Sequence, residues 1–133
     1  MQRPPDGHGE AVGFKSLSHI WIDDLERALR HLYDPVELRR SPLLSLLGLD
    51  TRERPVQALQ ERLIAAIESL RPDASVPAQA NAWRFYHILN QRYIEQFTQQ
   101  DIANSLALSP RQVRRLYRQA LQALADVAFI NCT

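Results

Sequence analysis

The side chains best placed to do chemistry lie between Arg111 and Gln122, in the run R-Q-V-R-R-L-Y-R-Q-A-L-Q. At 100° per residue, Leu116, Tyr117, Ala120 and Leu124 fall within about 60° of Val113, so that side of a helix is apolar. Arg111, Arg115, Arg118 and Gln122 fall within about 40° of the opposite direction, with Arg114 and Gln119 on the flanks. No acidic residue stands between Asp101 and Asp126. Guanidinium and carboxamide groups are the donors that pair with guanine and adenine edges and with phosphate. A merely solvated helix face would interleave glutamates at i, i+4, and this one does not. The chemistry indicated is recognition of a nucleic acid.

Catalytic patterns are not found. There is no G-x-S-x-G, no phosphate-cradling glycine loop and no Cys–His arrangement, and Asp23 and Asp24, adjacent on a helix, point about 100° apart. His8, His19, His31 and His87 are scattered, without an i, i+4 pair or a nearby cysteine, so no metal site is expected. Trp83, Phe85, Tyr86, Tyr93 and Phe97 would suit a stacking platform for single strands, but their spacing is that of a helix core. Neither an enzyme nor a cofactor is expected.

The arginine face must be held by something, and two helix starts precede it. Thr98-Gln99-Gln100-Asp101 fits a capping box, with Phe97 before it positioned to staple onto Ile102. Ser109-Pro110-Arg111-Gln112 is a second box with proline at the first helical position, and Leu108 can staple onto Val113. Only Leu106-Ala107-Leu108 is left for the turn, so the two helices must cross steeply, as in a helix-turn-helix. Ala103 is small where they cross, and Ile102, Leu106, Leu108, Val113 and Leu116 supply the core of the unit.

The segment Y-I-E-Q-F-T-Q-Q-D-I-A-N-S-L-A-L-S-P-R-Q-V-R-R-L-Y-R-Q-A-L-Q-A-L resembles the helix-turn-helix of sigma-70 region 4 and related transcriptional regulators of the bacterial type. The resemblance runs from Trp83 to Leu124. It departs at Ala107, where the family commonly has glycine, and at Pro110, where a polar residue is frequent. It implies that the helix starting at Ser109 enters the DNA major groove, with Arg111, Arg114 and Arg115 at base-reading positions. Arg118 and Gln112 would face phosphates, and Thr98, Gln99 and Gln100 would bring the amides of the first helix to the DNA backbone. Nothing before Pro72 resembles a promoter-melting region, so a complete sigma factor is not expected. The competing reading is an adaptor that uses the same scaffold to bind RNA polymerase or another regulator.

The rest of the chain reads as more helix. Residues 1–16 form a lead-in rich in proline and glycine, and 17–71 a helical segment. Within that segment the spacing predicts helices over Leu17–Tyr33, after Asp34-Pro35-Val36-Glu37, briefly over Leu43–Leu47 up to Gly48, and over Pro55–Leu70. Residues 72–77 (P-D-A-S-V-P) are the internal boundary, and the charge changes sign there. Residues 1–77 carry 10 basic and 12 acidic side chains, and 78–133 carry 6 and 3. A further helix is expected over Ala78–Phe97, on an apolar stripe of Ala82, Phe85, Tyr86, Leu89, Tyr93 and Phe97. The domain expected to bind DNA spans 78–130. No stretch alternates with period two, so the fold class is all-α, a helical bundle with a C-terminal helix-turn-helix.

With 133 residues the chain is long enough for one ordinary domain. Its one cysteine, Cys132, excludes an internal disulfide. Neither a secretory leader nor an apolar stretch of about 20 residues is present, so a cytoplasmic protein with no membrane association is expected. The ending F-I-N-C-T, without a capping glycine, is one that a fragment of a larger regulator would have. The N-terminal helices are expected either to complete the core or to form a surface for a homodimer or partner protein, with S-P-L-L-S-L-L-G-L as the candidate for the latter.

Overall fold

The computed structural model of the protein describes residues 21–130, with side chains through Ala128. The expected lead-in, the start of the first helix at Leu17 and Cys132 lie outside the described residues. All regular structure among the described residues is helical, as the absence of period-two alternation implies.

The first helix, α1, covers residues 21–30 and does not continue to Tyr33. Asp34 precedes a proline, whose ring drives it out of the α region to φ −116°, ψ 94°. The chain therefore tightens into i→i+3 bonds, with the Leu32 amide donating to Leu29 and the Asp34 amide to His31. Helix α2, Pro35–Arg39, then starts on the Asp34 side chain, which accepts from the Glu37 amide at 3.3 Å. The reciprocal half of the expected capping box is missing. The Asp34 amide already donates to His31, and the Glu37 carboxylate lies 3.8 Å from Arg40 instead.

Helix α3, Leu43–Leu46, ends at Gly48, whose φ of +69° favours glycine. Helix α4, Pro55–Ser69, buries Leu59, Leu63, Ala66 and Ile67, the centre of the expected stripe. The connection at 72–77 is tied down by Trp83, whose indole N–H donates to the Val76 carbonyl at 3.0 Å.

Helix α5 is shorter than the expected Ala78–Phe97. It spans Asn81–Leu89 and continues as one π-helical turn, Asn90–Ile94. No side chain caps it at Ala80, so the segment after Pro77 remains a turn. At the other end Gln96 adopts φ 62°, and the Phe97 amide reaches back to the Gln91 carbonyl at 2.8 Å. That reversal frees Phe97 to precede the next cap. Ala82, assigned to the apolar stripe, is exposed, whereas Ile88 is fully buried. Helices α6, Gln99–Leu106, and α7, Pro110–Ile130, complete the chain's described part.

Two apolar clusters hold these helices. The larger joins α1 to α4 with Tyr86, Leu89 and Tyr93 and with Ala120, Leu121, Leu124, Ala125 and Ala128 of α7. The smaller is the interior of the α6–α7 unit, namely Ile88, Ile102, Ala103, Val113 and Leu116. Phe85 and Tyr117 pack against both. Leu43, Leu44, Leu47 and Leu49 are buried in the larger cluster and only Leu46 is exposed, so the leucine-rich segment is not the outward partner surface that one reading required.

A core shared this way should unfold as one unit. Leu63→Ala, which empties a site at 0% exposure, should destabilise by about 2–5 kcal/mol. Urea unfolding followed by tryptophan fluorescence and by far-ultraviolet circular dichroism should shift together. Separation of the two curves would show that the helix-turn-helix melts independently.

Candidate nucleic-acid interface

The local chemistry of the α6–α7 unit follows its sequence closely. Thr98 caps α6 with both halves of a capping box: the Asp101 amide donates to the Thr98 hydroxyl, and the Thr98 amide donates to the Asp101 carboxylate, each at 3.1 Å. Ser109 does the same for α7, accepting from the Gln112 amide at 3.1 Å while its own amide donates to Gln112 Oε1 at 2.9 Å. Phe97 and Leu108, the residues before the caps, both pack against the small cluster that holds Ile102 and Val113, as stapling requires.

The turn is built on Ala107 in the left-handed region, φ 56°, ψ 45°. The Leu108 amide donates to the Ala103 carbonyl at 2.9 Å and the Ala107 amide to Asn104 at 3.3 Å, which is a Schellman closure. Glycine would adopt this conformation without strain. Alanine is held there by the packing of half-buried Leu108 against the small cluster on one side and the Ser109 cap on the other.

Every arginine of the expected face is exposed: Arg111, Arg114, Arg115 and Arg118, together with Gln112 and Gln119. None of the four arginines has a hydrogen bond or ion pair among the described residues, and the nearest acid along the helix is Asp126. Arg111, Gln112, Arg114, Arg115 and Arg118 line a shallow trough of about 420 Å³. All five belong to α7, so the trough is the open space between splayed side chains. On the opposite side Val113 and Ala120 are 1% and 0% exposed, which fixes the phase of the helix.

The remaining site residues are less uniform. Thr98 and Gln100 are exposed and Gln99 is half-buried, with Gln100 donating to Asn104 Oδ1 at 3.1 Å. Gln112 spends its carbonyl oxygen on the Ser109 cap and keeps its amide nitrogen outward. Gln122 is half-buried and donates to Asp126 Oδ1 at 3.1 Å, at the far edge of the face. The five aromatics from Trp83 to Phe97 face the core or each other. Trp83 stacks on His87 with ring centroids 5.5 Å apart, and Arg71 sits over the Tyr86 ring at 6.0 Å.

One feature was not expected from the residues. Tyr117 donates from its hydroxyl to the Glu26 carboxylate at 2.7 Å, and its oxygen is hydrogen-bonded to the Tyr93 hydroxyl. Burial pushes the phenols of Tyr117 and Tyr93 above the usual tyrosine range, and for Tyr117 the neighbouring Tyr93 and Glu26 act in the same direction. Helical spacing put Tyr117 on the core side. No signal in the sequence connects it to Glu26, 91 residues away.

Residues 84–126 match the family model described as Sigma-70, region 4. This is the resemblance read from Trp83 to Leu124, within two residues at each end. The match covers about a third of the chain and contains both capping boxes and the arginine face. No curated protein and no solved structure matches the chain. The segment is thus similar to a DNA-binding helix-turn-helix, and the geometry above is that of such a unit.

Two outcomes test this geometry. Val113→Asp places a charge in the interface between α6 and α7 and should destabilise by several kcal/mol, whereas Arg118→Glu on the outward face should change stability by no more than about 0.5 kcal/mol. Thermal melts decide, and a wild-type melt for Val113→Asp would mean that the helix phase is wrong. Alkaline titration tests the tyrosines. Their raised values mean that the folded state holds these protons more tightly, so this stabilisation is complete below about pH 10 and is lost as pH rises beyond it. Absorbance near 295 nm should show Tyr93 and Tyr117 ionising only with unfolding.

Proposed function

We propose that the protein is a transcriptional regulator of the bacterial type that reads duplex DNA in the major groove with α7. The observation that carries this reading is the set of four exposed arginines, free of internal partners, on the outward face of the second helix of a helix-turn-helix. Arg111, Arg114 and Arg115, nearest the helix start, are assigned to base edges. Arg118 and Gln112 are assigned to phosphates, and Gln122 to the far edge of the contact. Thr98, Gln99 and Gln100 present the first amides of α6 to the DNA backbone.

In this reading residues 78–130 form the DNA-binding domain, 17–71 support it, and 1–16 are a lead-in. RNA polymerase or another regulator would dock on the outer surface of the N-terminal helices, where Tyr33 and Val36 are large apolar side chains left exposed among the described residues. A DNA target places the protein in the cytoplasm. Among the described residues no helix is long and apolar enough to cross a membrane.

The experiment is selection of a duplex from a random library by the wild-type protein, followed by mobility-shift titration. Arg111→Ala and Arg115→Ala should each weaken binding to the selected site by about 1–3 kcal/mol and relax base preference. The plot of log K against log[salt] should have a slope of about −4 per bound module. A slope near zero, or equal binding by the double alanine variant, would overturn the DNA assignment and favour the adaptor reading.

A further inference from the structure

The hydrogen-bonded set Glu26, Tyr117 and Tyr93 stands where the two apolar clusters meet. Val113 and Leu116 of α7 belong to the small cluster, and Ala120, Leu121 and Leu124 to the large one. Tyr117 touches both and is the point at which α7 passes from one core into the other. Glu26 is on α1, and Tyr93 is on the π-helical turn that precedes the helix-turn-helix. Three separate elements are therefore joined at one phenol oxygen of the arginine-bearing helix.

Apolar packing is non-directional and tolerates small rotations of a helix about its own axis, whereas a hydrogen bond is short and angular. The Tyr117 hydroxyl has one proton, which goes to Glu26, so its oxygen accepts from the Tyr93 hydroxyl. A rotation of α7 then disturbs two directional bonds at a single residue. Tyr117 is also flanked by Arg114 and Arg118, three residues before it and one after. A side-chain head ~6 Å from the axis moves by about 1 Å for a rotation of ~10°, which is enough to misalign a bidentate contact with a base.

We infer that Glu26 is a positioning residue for base recognition: through Tyr117, whose oxygen is also bonded to Tyr93, it sets the rotation of α7 and so the aim of the arginine face. The inference rests on the DNA-reading assignment above. It gives the N-terminal helical segment, through Glu26 of α1, a role in sequence preference. It also explains a carboxylate placed among tyrosines at the margin of an otherwise apolar core. Loss of the Glu26 carboxylate takes from the Tyr117 hydroxyl the acceptor it donates to but removes no group from the arginine face.

The variants Glu26→Ala, Tyr117→Phe and Glu26→Gln separate positioning from folding. Glutamine keeps an acceptor oxygen for Tyr117, while the other two break the bond with the Tyr117 ring in place. The first readout is the ratio of affinities for the selected duplex and for a scrambled duplex of equal length. Rotation spoils base contacts but spares phosphate contacts, so Glu26→Ala and Tyr117→Phe should lower this ratio by about fivefold or more, with scrambled-duplex binding unchanged and Glu26→Gln near wild type. A purely structural loss would lower both affinities equally.

The second readout needs no DNA. Spin labels on cysteines replacing the exposed residues Ala65 of α4 and Gln119 of α7, with Cys132→Ser, should give one narrow distance distribution in wild type and Glu26→Gln. The distribution should shift or broaden in Glu26→Ala and Tyr117→Phe. Unchanged ratio and unchanged distances in those two variants would overturn the inference. Changed distances with a wild-type protein that prefers no duplex would keep the positioning role and sink the DNA-reading assignment instead.

Discussion

Continuity of α7 is the constraint on which the other features depend. One helix of 21 residues supplies the outward arginine face in its first turns and a large part of the common core in its last ones. Because α7 crosses from one cluster to the other without a break, the helix-turn-helix cannot move as a loose appendage. Any change in how the large cluster holds Leu121, Leu124 and Ala128 is carried along the helix axis to Arg111 and Arg115. The residues that carry charge and those that carry stability are interleaved on one cylinder, separated only by phase.

The termination of the preceding elements serves that cylinder. Gln96 and Ala107 both take left-handed backbone conformations without being glycine, and both stand two residues before a capping residue, Thr98 and Ser109. In each case a large apolar side chain, Phe97 or Leu108, must leave the helix and turn back onto Ile102, Ala103 and Val113. Backbone strain of this kind is tolerated where the surrounding packing over-determines the conformation. The π-helical turn at Asn90–Ile94 belongs to the same adjustment, since it ends the α5 segment with Tyr93 facing Tyr117 and Phe97 facing the small core.

Charge is distributed to match. The acidic side chains lie mostly before the 72–77 connection, and the arginines of α7 form no ion pair among the described residues. The ion pairs of Arg40 with Glu37 and Arg71 with Glu68 are three residues apart and largely exposed, and contribute little to holding the fold. Burial of leucine and alanine does that work, which leaves the arginines available to an outside partner.

The sequence alone was enough for most features governed by neighbours within about four residues, the half-formed box at Asp34 and the early end of α1 being local exceptions. Both capping boxes, the two staples, the apolar and cationic sides of α7, the stop at Gly48 and the stripe of α4 are all of this kind, because side-chain to backbone bonds and helical phase are local. The extent of α5, the burial of Ile88 in place of Ala82 and the π-helical turn depend on what lies across the core, and periodicity within one helix does not contain that information. The bond from Tyr117 to Glu26 and the seating of the leucine-rich segment inside the core belong to the same class. They join residues far apart in the chain, and their partners are chosen by how whole helices pack.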